Sequence, residues 1–370
     1  MHHTSHIYFF NVNLRIELSQ RISYKNYLSS SLHKFLFFTS KNFIIIFMFG
    51  EIDYNLYRYR KRKDFTMNIN KVALIGAGAI GAYFVWGFQQ KKSIDFCVVA
   101  EGERKNRLLN QGLIINDQTY HFPVKDYNEA GTVDLILIGT KNNAIEDVAQ
   151  KIIPMLKDDT IVLSLLNGVE SEDILKKYID EKHIMYSFMR ISAERTENSI
   201  FFNPVVTDGV IFGEQKGVSD TSRIAALKEV FEGAVHYIVS EDIEKDMWIK
   251  FANNVANNLP QAILNVGVGA YIDSDHVAHI AHCLWNEVGV LASMRNITLP
   301  DYDPSIWAAR KNSRFSTLQD LDAKRKTEID SFAGAVMKLS EKAGVSSPYC
   351  DYTYHLIKAL EQKNDGIFEY

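Results

Sequence analysis

Apolar positions divide the chain into three parts. Across 67–240, short apolar runs alternate with longer mixed segments: 72–75 (VALI), 94–100 (IDFCVVA), 133–139 (VDLILIG) and 160–165 (TIVLSL). Runs of this kind, without polar alternation, suit strands buried on both faces of a parallel sheet. Between the second and third, 113–124 predicts a pair of short strands around Asn116-Asp117, and 183–211 holds further strand-like pieces (IMYSFMRI, SIFFNPVVTDGVIFG). A helix over 219–231 and a last strand over 236–239 follow. This alternation predicts a doubly wound, Rossmann-type α/β domain over 67–240. From Glu241 the apolar period changes to 3.6 and strand signals vanish, predicting an all-helical domain over 241–366. Residues 1–66 fit neither pattern.

The first run leads into Gly76-Ala77-Gly78-Ala79-Ile80-Gly81, the G-x-G-x-x-G spacing, with an apolar helical segment behind it at 83–88. Gly76 permits the tight turn, Gly78 lets the backbone approach a pyrophosphate, and Gly81 lets helix and strand pack closely. The unpaired N–H groups of the first helical turn then face an anion. Strand, glycines and helix in this order predict a dinucleotide site on residues 76–81. Glu101 closes the second run twenty residues beyond Gly81, where such a fold places the acid that holds the ribose hydroxyls. Arg104, Lys105 and Arg107 crowd the same turn, so the charge is mixed and a solvated helix start is the plain alternative. The third and fourth runs end in Thr140-Lys141-Asn142 and Leu166-Asn167-Gly168. Polar turns at the carboxyl ends of parallel strands are where open sheets bind ligands, which makes Lys141 and Asn167 site candidates. A helix N-cap for Asn142 and a plain turn at Asn167-Gly168 are equally simple readings.

In the helical half, 246–264 reads DMWIKFANNVANNLPQAIL. Lys250, Asn254 and Asn258 fall at i, i+4 and i+8 on one face, flanked by Trp248, Phe251, Ala252, Val255, Ala256 and Leu259. Burying an amine and amides costs free energy unless they find partners, so a polar ligand suits this row. A surface stripe is the alternative, favoured by Asn253 and Asn257, which widen the polar face. Ser316, Asp320, Lys324 and Glu328 repeat the spacing. Glu328 also reads as a surface carboxylate paired with Lys324 or Arg325, worth only ~0.5 kcal/mol. His276, His279 and His282 share a helix, but steps of three fan out by about 60° each, so no metal site is expected.

Composition changes this picture little. The chain has 370 residues, 46% hydrophobic and 23% charged, with a formal net charge of −4, as expected of a globular protein without nucleic-acid or membrane partners. Cys97, Cys283 and Cys350 lie far apart with no C-x-x-C, which suits a reducing cytoplasm rather than a disulfide framework or a zinc site. Residues 1–66 are rich in Phe, Tyr, Ile, Asn, Ser and Lys. Their most apolar piece, 35–49, is broken by Thr39, Ser40, Lys41 and Asn42 and falls short of the ~20 apolar residues of a spanning helix. The basic run at 57–63 (YRYRKRK) reads as a solvated charge run, and His2, His3 and His6 as incidental. Met67 opens directly onto the first strand, so residues 1–66 are expected to be an upstream extension or a mis-called start.

GAGAIG, the TKN turn, the NGVE turn, K-x-x-x-N-x-x-x-N and STLQDLDAKRKTEID, in this order over 67–360, resemble the ketopantoate reductase family. The resemblance implies a Rossmann domain and a helical domain with the active site between them. It also implies reduction of 2-dehydropantoate to pantoate, usually with NADPH. By position, Lys250 matches the general acid and Glu328 the acid that contacts the substrate hydroxyl. Asn254, Asn258, Ser316 and Asn167 match substrate-binding residues. Lys141 and Asn167 match turns facing the nicotinamide and the substrate. The chain departs from the family in two places. Leu166 stands where Gln usually precedes Asn-Gly. Glu101 stands where NADPH users commonly carry an arginine. The family habit carried by the five motifs outweighs that one position, so NADP(H) is expected, with NAD(H) kept open by Glu101 and with Arg104 and Lys105 offered as phosphate partners. A 2-oxo acid is the expected partner, and a homodimer stays open. The alternatives are a reductase of another branched 2-oxo acid and a non-catalytic dinucleotide sensor.

Overall fold

A computed structural model describes residues 35–40, 43–48, 67–196, 199–215 and 221–368. Within residues 1–66, Phe35–Ser40 and Phe43–Met48 pair as an antiparallel two-stranded hairpin. The basic run at 57–63 and His2, His3 and His6 lie outside the described residues, as does the start of the helix expected from 219. Among the described residues no helix is long and apolar enough to cross a membrane.

From Met67 the apolar runs become strands. Those of the main sheet are β1 (Lys71–Ile75), β2 (Asp95–Val99), β5 (Val124–Lys125), β6 (Leu135–Ile138), β7 (Ile161–Ser164), β8 (Ile184–Arg190), β11 (Gly209–Gly213) and β12 (Tyr237–Val239). They line up as β5-β2-β1-β6-β7-β8-β11-β12. The first six are parallel, β11 runs antiparallel to β8, and β12 is parallel to β11. Val72 pairs with Phe96 on one side and Leu135 on the other. This order reverses between β1 and β6, the switch point at which a doubly wound sheet opens a crevice at its carboxyl edge. A smaller sheet joins β3 (Leu113–Ile115), β4 (Gln118–Tyr120), β9 (Ala193–Arg195) and β10 (Ile200–Phe202) in the order β9-β10-β3-β4. Asn116 and Asp117, both at positive φ, make its hairpin turn.

Helices α1 (Ala79–Phe88), α2 (Gly102–Gln111), α3 (Tyr127–Ala130), α4 (Ile145–Lys151), α5 (Ser171–Leu175) and α6 (Ser222–Phe231) connect the strands. One face of the sheet is buried with Tyr83, Phe84, Phe212 and Phe231, the other with Val148, Ile152, Met155 and Leu175.

After β12 the chain is helical: α7 (Ile243–Asn253), α8 (Leu259–Leu264), α9 (Ala270–Asp273), α10 (Asp275–Ser293), α11 (Ser316–Asp322), α12 (Ala333–Ala343) and α13 (Pro348–Asn364). Trp248, Phe251, Tyr271, Trp285 and Phe332 are buried in their shared core.

Two sequence expectations change here. The segment expected as one helix over 246–264 contains a π-helical turn, Asn254–Asn258, between α7 and α8. Each extra residue turns a helix by about 100°, so the face that carries Lys250 does not continue straight to Asn258. The second row fails as well. Helix α11 stops at Asp322 and Lys324 is left-handed (φ 51°), so Glu328 belongs to a turn and not to a helix face.

Candidate functional site

The glycine turn is shaped as the motif requires. Gly76 has φ +100°, and a Cβ on it would stand 2.5 Å from the carbonyl carbon of Gly139 at the end of β6. Gly78 is the N-cap of helix α1, which has no side-chain cap and no acid in its first turn. Nothing lies within 4 Å of where a Cβ on Gly78 would stand. Uncapped N–H groups above an open approach attract an anion. Nearby, at the end of β6, the Thr140 hydroxyl is buried without a protein partner. These features fit the pyrophosphate of a dinucleotide held by residues 76–81.

At the end of β2, Glu101 is exposed and accepts a hydrogen bond from Lys151 Nζ at 2.9 Å. Its carboxylate is therefore already engaged by a cation. Arg104, one turn into α2, is exposed along much of its length, yet its guanidinium is held below its ordinary range, first by desolvation and then by Arg107 and Arg195. Glu101 and Glu103 stand in the same turn, so the charge at this corner is mixed. Lys141 is exposed just beyond β6, and its charge bears on Asp320 of α11.

Three of the candidates form a chain. Lys250 Nζ donates to Asn167 Oδ1 at 2.8 Å, and Asn167 Nδ2 donates to Glu328 Oε2 at 2.8 Å. The Asn167 amide thus links an amine on α7 to a carboxylate from the turn after α11, at the carboxyl end of β7. Gly168, at φ +102°, lets the Asn167 turn approach the Ser331 carbonyl oxygen, 3.4 Å from where a Cβ would stand. Asn142 is not a side-chain cap. Its Nδ2 donates to the Asn167 carbonyl at 3.3 Å, and its Oδ1 stays buried without a protein partner. The surface-ion-pair reading of Glu328 gives way too, because Arg325 Nε bonds Asp320 Oδ1 at 2.8 Å instead.

The Lys250 amine lies 5.3 Å from the centre of the Phe188 ring. Although part of the side chain stays open to the cleft, burial of the amine dominates and lowers its pKa to about 8, with Arg190 adding to the drop and Glu328 opposing it. An amine poised there is mostly protonated at neutral pH yet gives up its proton readily.

The remaining candidates separate. Asn258 Nδ2 reaches Ser316 Oγ only at 3.5 Å, and Asn254 is half-buried at the start of the π turn. Asn257 does not widen the polar face. It is fully buried, takes a 2.8 Å hydrogen bond from Tyr302 and gives one of 3.1 Å to Asn253. Among the described residues no group of three or more His, Cys, Asp or Glu side chains is placed to hold a metal ion.

Sequence reasoning missed Phe188, Arg190 and Thr140. Phe188 and Arg190 belong to a segment whose sequence shows only a strand-like piece, yet they lie at the carboxyl end of that strand, like the turns after β6 and β7.

Comparison with known proteins adds to this geometry. The family model described as "Ketopantoate reductase PanE/ApbA" matches residues 72–214, and its C-terminal counterpart matches 242–361. The chain belongs to the ketopantoate reductase family. It is 25% identical over 315 residues to the 2-dehydropantoate 2-reductase of Lactococcus lactis, covering 79% of this chain and 98% of that one. It is 21% identical over 304 residues to an uncharacterised oxidoreductase of Bacillus subtilis, covering 79% of this chain and 99% of the relative. Among solved structures, a D-mandelate dehydrogenase with NADH and anilino(oxo)acetate is 25% identical, with a TM-score of 0.65 over 80% of this chain and 99% of its own. A ketopantoate reductase from Ralstonia eutropha, 23% identical with a TM-score of 0.66 over 80% of this chain and 99% of its own, shares the fold.

Proposed function

We propose that this ketopantoate reductase family member reduces 2-dehydropantoate to pantoate with NADP(H), using Lys250 as general acid. The observation that carries the reading is the Lys250–Asn167–Glu328 chain, which joins an amine of lowered pKa to a carboxylate through one amide. Residues 76–81 hold the pyrophosphate, and the bound cofactor supplies the hydride. Negative charge then grows on the carbonyl oxygen. The Lys250 ammonium neutralises that charge and transfers its proton to the oxygen. Glu328 accepts a hydrogen bond from the substrate hydroxyl, and Asn167, Asn254, Asn258 and Ser316 orient the acid without adding charge. Arg104, flanked by Arg107 and Arg195, supports a 2′-phosphate, since guanidinium binds phosphate bidentately. Glu101 opposes it, but its pairing with Lys151 offsets part of the repulsion.

A second reading, reduction of another branched 2-oxo acid, is favoured by the 25% identity to a D-mandelate dehydrogenase whose structure holds NADH and anilino(oxo)acetate. A sensor without turnover is disfavoured by the amine at position 250. The test is initial rate on 2-dehydropantoate and 2-oxoisovalerate, each with NADPH and with NADH. Highest kcat/KM with 2-dehydropantoate and NADPH is expected. Preference for 2-oxoisovalerate would select the second reading, and no turnover of either acid would overturn the proposed reaction.

A further inference from the structure

The turn that carries Glu328 has little regular structure of its own. It leaves α11 at Asp322, passes the left-handed Lys324, and reaches Glu328 (φ −95°, ψ 27°) just before a short 3-10 turn, Ile329–Ser331. Its polar groups are tied to the last helix, α13. Glu361 Oε1 accepts from both Thr327 N (2.8 Å) and Thr327 Oγ1 (2.6 Å). Asn364 Nδ2 donates to the Leu321 carbonyl at 2.8 Å, and Lys326 pairs with Asp365. Asp330 accepts from Tyr354 and Lys358, each at 2.8 Å. Among these ties only the Glu361–Thr327 pair is buried on both sides, at 5% and 8% exposure. The other Glu361 oxygen has Lys358 at 3.8 Å.

We propose that Glu361 is a positioning residue: its buried carboxylate fixes the 323–331 turn so that Glu328 reaches Asn167 and, through it, Lys250. The proposal rests on the reading of Lys250, Asn167 and Glu328 as the reacting arrangement. Two donors of one residue converge on a single oxygen, and removing that oxygen leaves both donors buried and unpaired, Thr327 Oγ1 keeping only the 3.3 Å bond it accepts from Ile329 N. The turn then relaxes, and Glu328, one residue further on, moves with it. Displacements of about 1 Å in a reacting arrangement cost up to ~10²-fold in rate.

The test compares Glu361→Ala with Glu361→Gln, whose amide oxygen still accepts from Thr327. The alanine variant is expected to lose kcat/KM for the oxo acid by about 10²-fold, with unchanged cofactor affinity, and the glutamine variant to recover most of the loss. A second readout needs no turnover: the pH dependence of acetylation of Lys250 by acetic anhydride, followed by mass spectrometry. The charges bearing on this amine are Glu328, which raises its pKa, and Arg190, which lowers it. Drawing Glu328 away in Glu361→Ala therefore moves the labelling midpoint to lower pH. Should the alanine variant not fold, Thr327→Val, which removes the Oγ1 bond to Glu361 and the 3.3 Å bond that Oγ1 accepts from Ile329 N, is compared with Thr327→Ser, which keeps both, and only a loss that serine restores supports the proposal. A folded variant with wild-type kcat/KM and an unmoved labelling midpoint overturns the proposal. Absence of turnover in the wild type, with the midpoint still shifted in the variant, would instead sink the assignment of function alone.

Discussion

Glu328→Gln separates charge from hydrogen bonding at the site. The glutamine keeps an oxygen for the Asn167 amide, so the 2.8 Å contact survives, but the negative charge is gone. Two 2.8 Å hydrogen bonds across one amide put the Lys250 amine and the Glu328 carboxylate roughly 7 Å apart. At an effective dielectric of about 20 that separation corresponds to ~2 kcal/mol, and solvent on the open side of the cleft reduces it to ~1.4 kcal/mol, or about one pH unit. The sign follows from the roles. Glu328 holds up the Lys250 pKa, which burial has lowered to about 8. With the protonated amine as the proposed acid, kcat should be full below that pKa and fall about tenfold per pH unit above it. Removing the Glu328 charge should move the alkaline limb of kcat down by about one unit, towards pH 7. The assay is kcat against pH between 6 and 10 at saturating substrate and cofactor, wild type beside variant, with solvent ionic strength fixed. A limb that stays at pH 8 refutes the coupling between these two groups, and a limb that moves upward refutes the sign.

Three further outcomes are expected. Lys250→Ala should lower kcat by ~10²-fold or more, with cofactor affinity almost unchanged, as measured by steady-state kinetics and fluorescence titration; a near-normal kcat removes Lys250 from the mechanism. Glu101→Arg should raise kcat/KM for NADPH and lower it for NADH, because at the position proposed to face the ribose it replaces a carboxylate with a phosphate-binding cation and frees Lys151; unchanged ratios mean that position 101 does not face the ribose. Gly81→Ala would put a methyl 2.1 Å from the Gly76 carbonyl oxygen, so the motif must distort. Dinucleotide affinity should then fall by at least tenfold and stability by about 1–3 kcal/mol, read by calorimetry and thermal melting; wild-type values for both contradict the packing.

The strands and the glycine turn were legible because their signals are local. Four apolar runs became β1, β2, β6 and β7, and GAGAIG became the turn into α1. The polar turns at 140–142 and 166–168 were found by position alone, since a strand end in a parallel sheet is defined by its neighbours. What stayed hidden depends on contacts distant in sequence. Asn142 read as a cap, but its side chain bonds a carbonyl 25 residues away. Glu328 read as part of a helical row, but the left-handed Lys324 and the bonds from Thr327 to Glu361 break that row. Lys250, Asn254 and Asn258 looked like one stripe because spacing assumes 3.6 residues per turn throughout. Asn257 looked exposed because no local rule announces that Tyr302, 45 residues on, will bond its amide.

The π turn at Asn254–Asn258 has a consequence for how this chain tolerates change. A π turn is an α-helix carrying one surplus residue. Before it, Ile243 and Met247 are buried with Tyr186 and Phe188 of β8, and Lys250 reaches the carboxyl end of the neighbouring strand. After it, Gln261 is fully buried, holding the Ser313 carbonyl and the Phe315 N–H at the entry to α11. The surplus residue supplies the rotation between these two duties. Substitutions along the segment change one contact at a time. A one-residue deletion there would regularise the helix and turn everything downstream by about 100°, carrying Gln261 away from the backbone it holds while Lys250 stayed in place. Between Lys250 and Gln261 the number of residues is therefore under as much constraint as their identities.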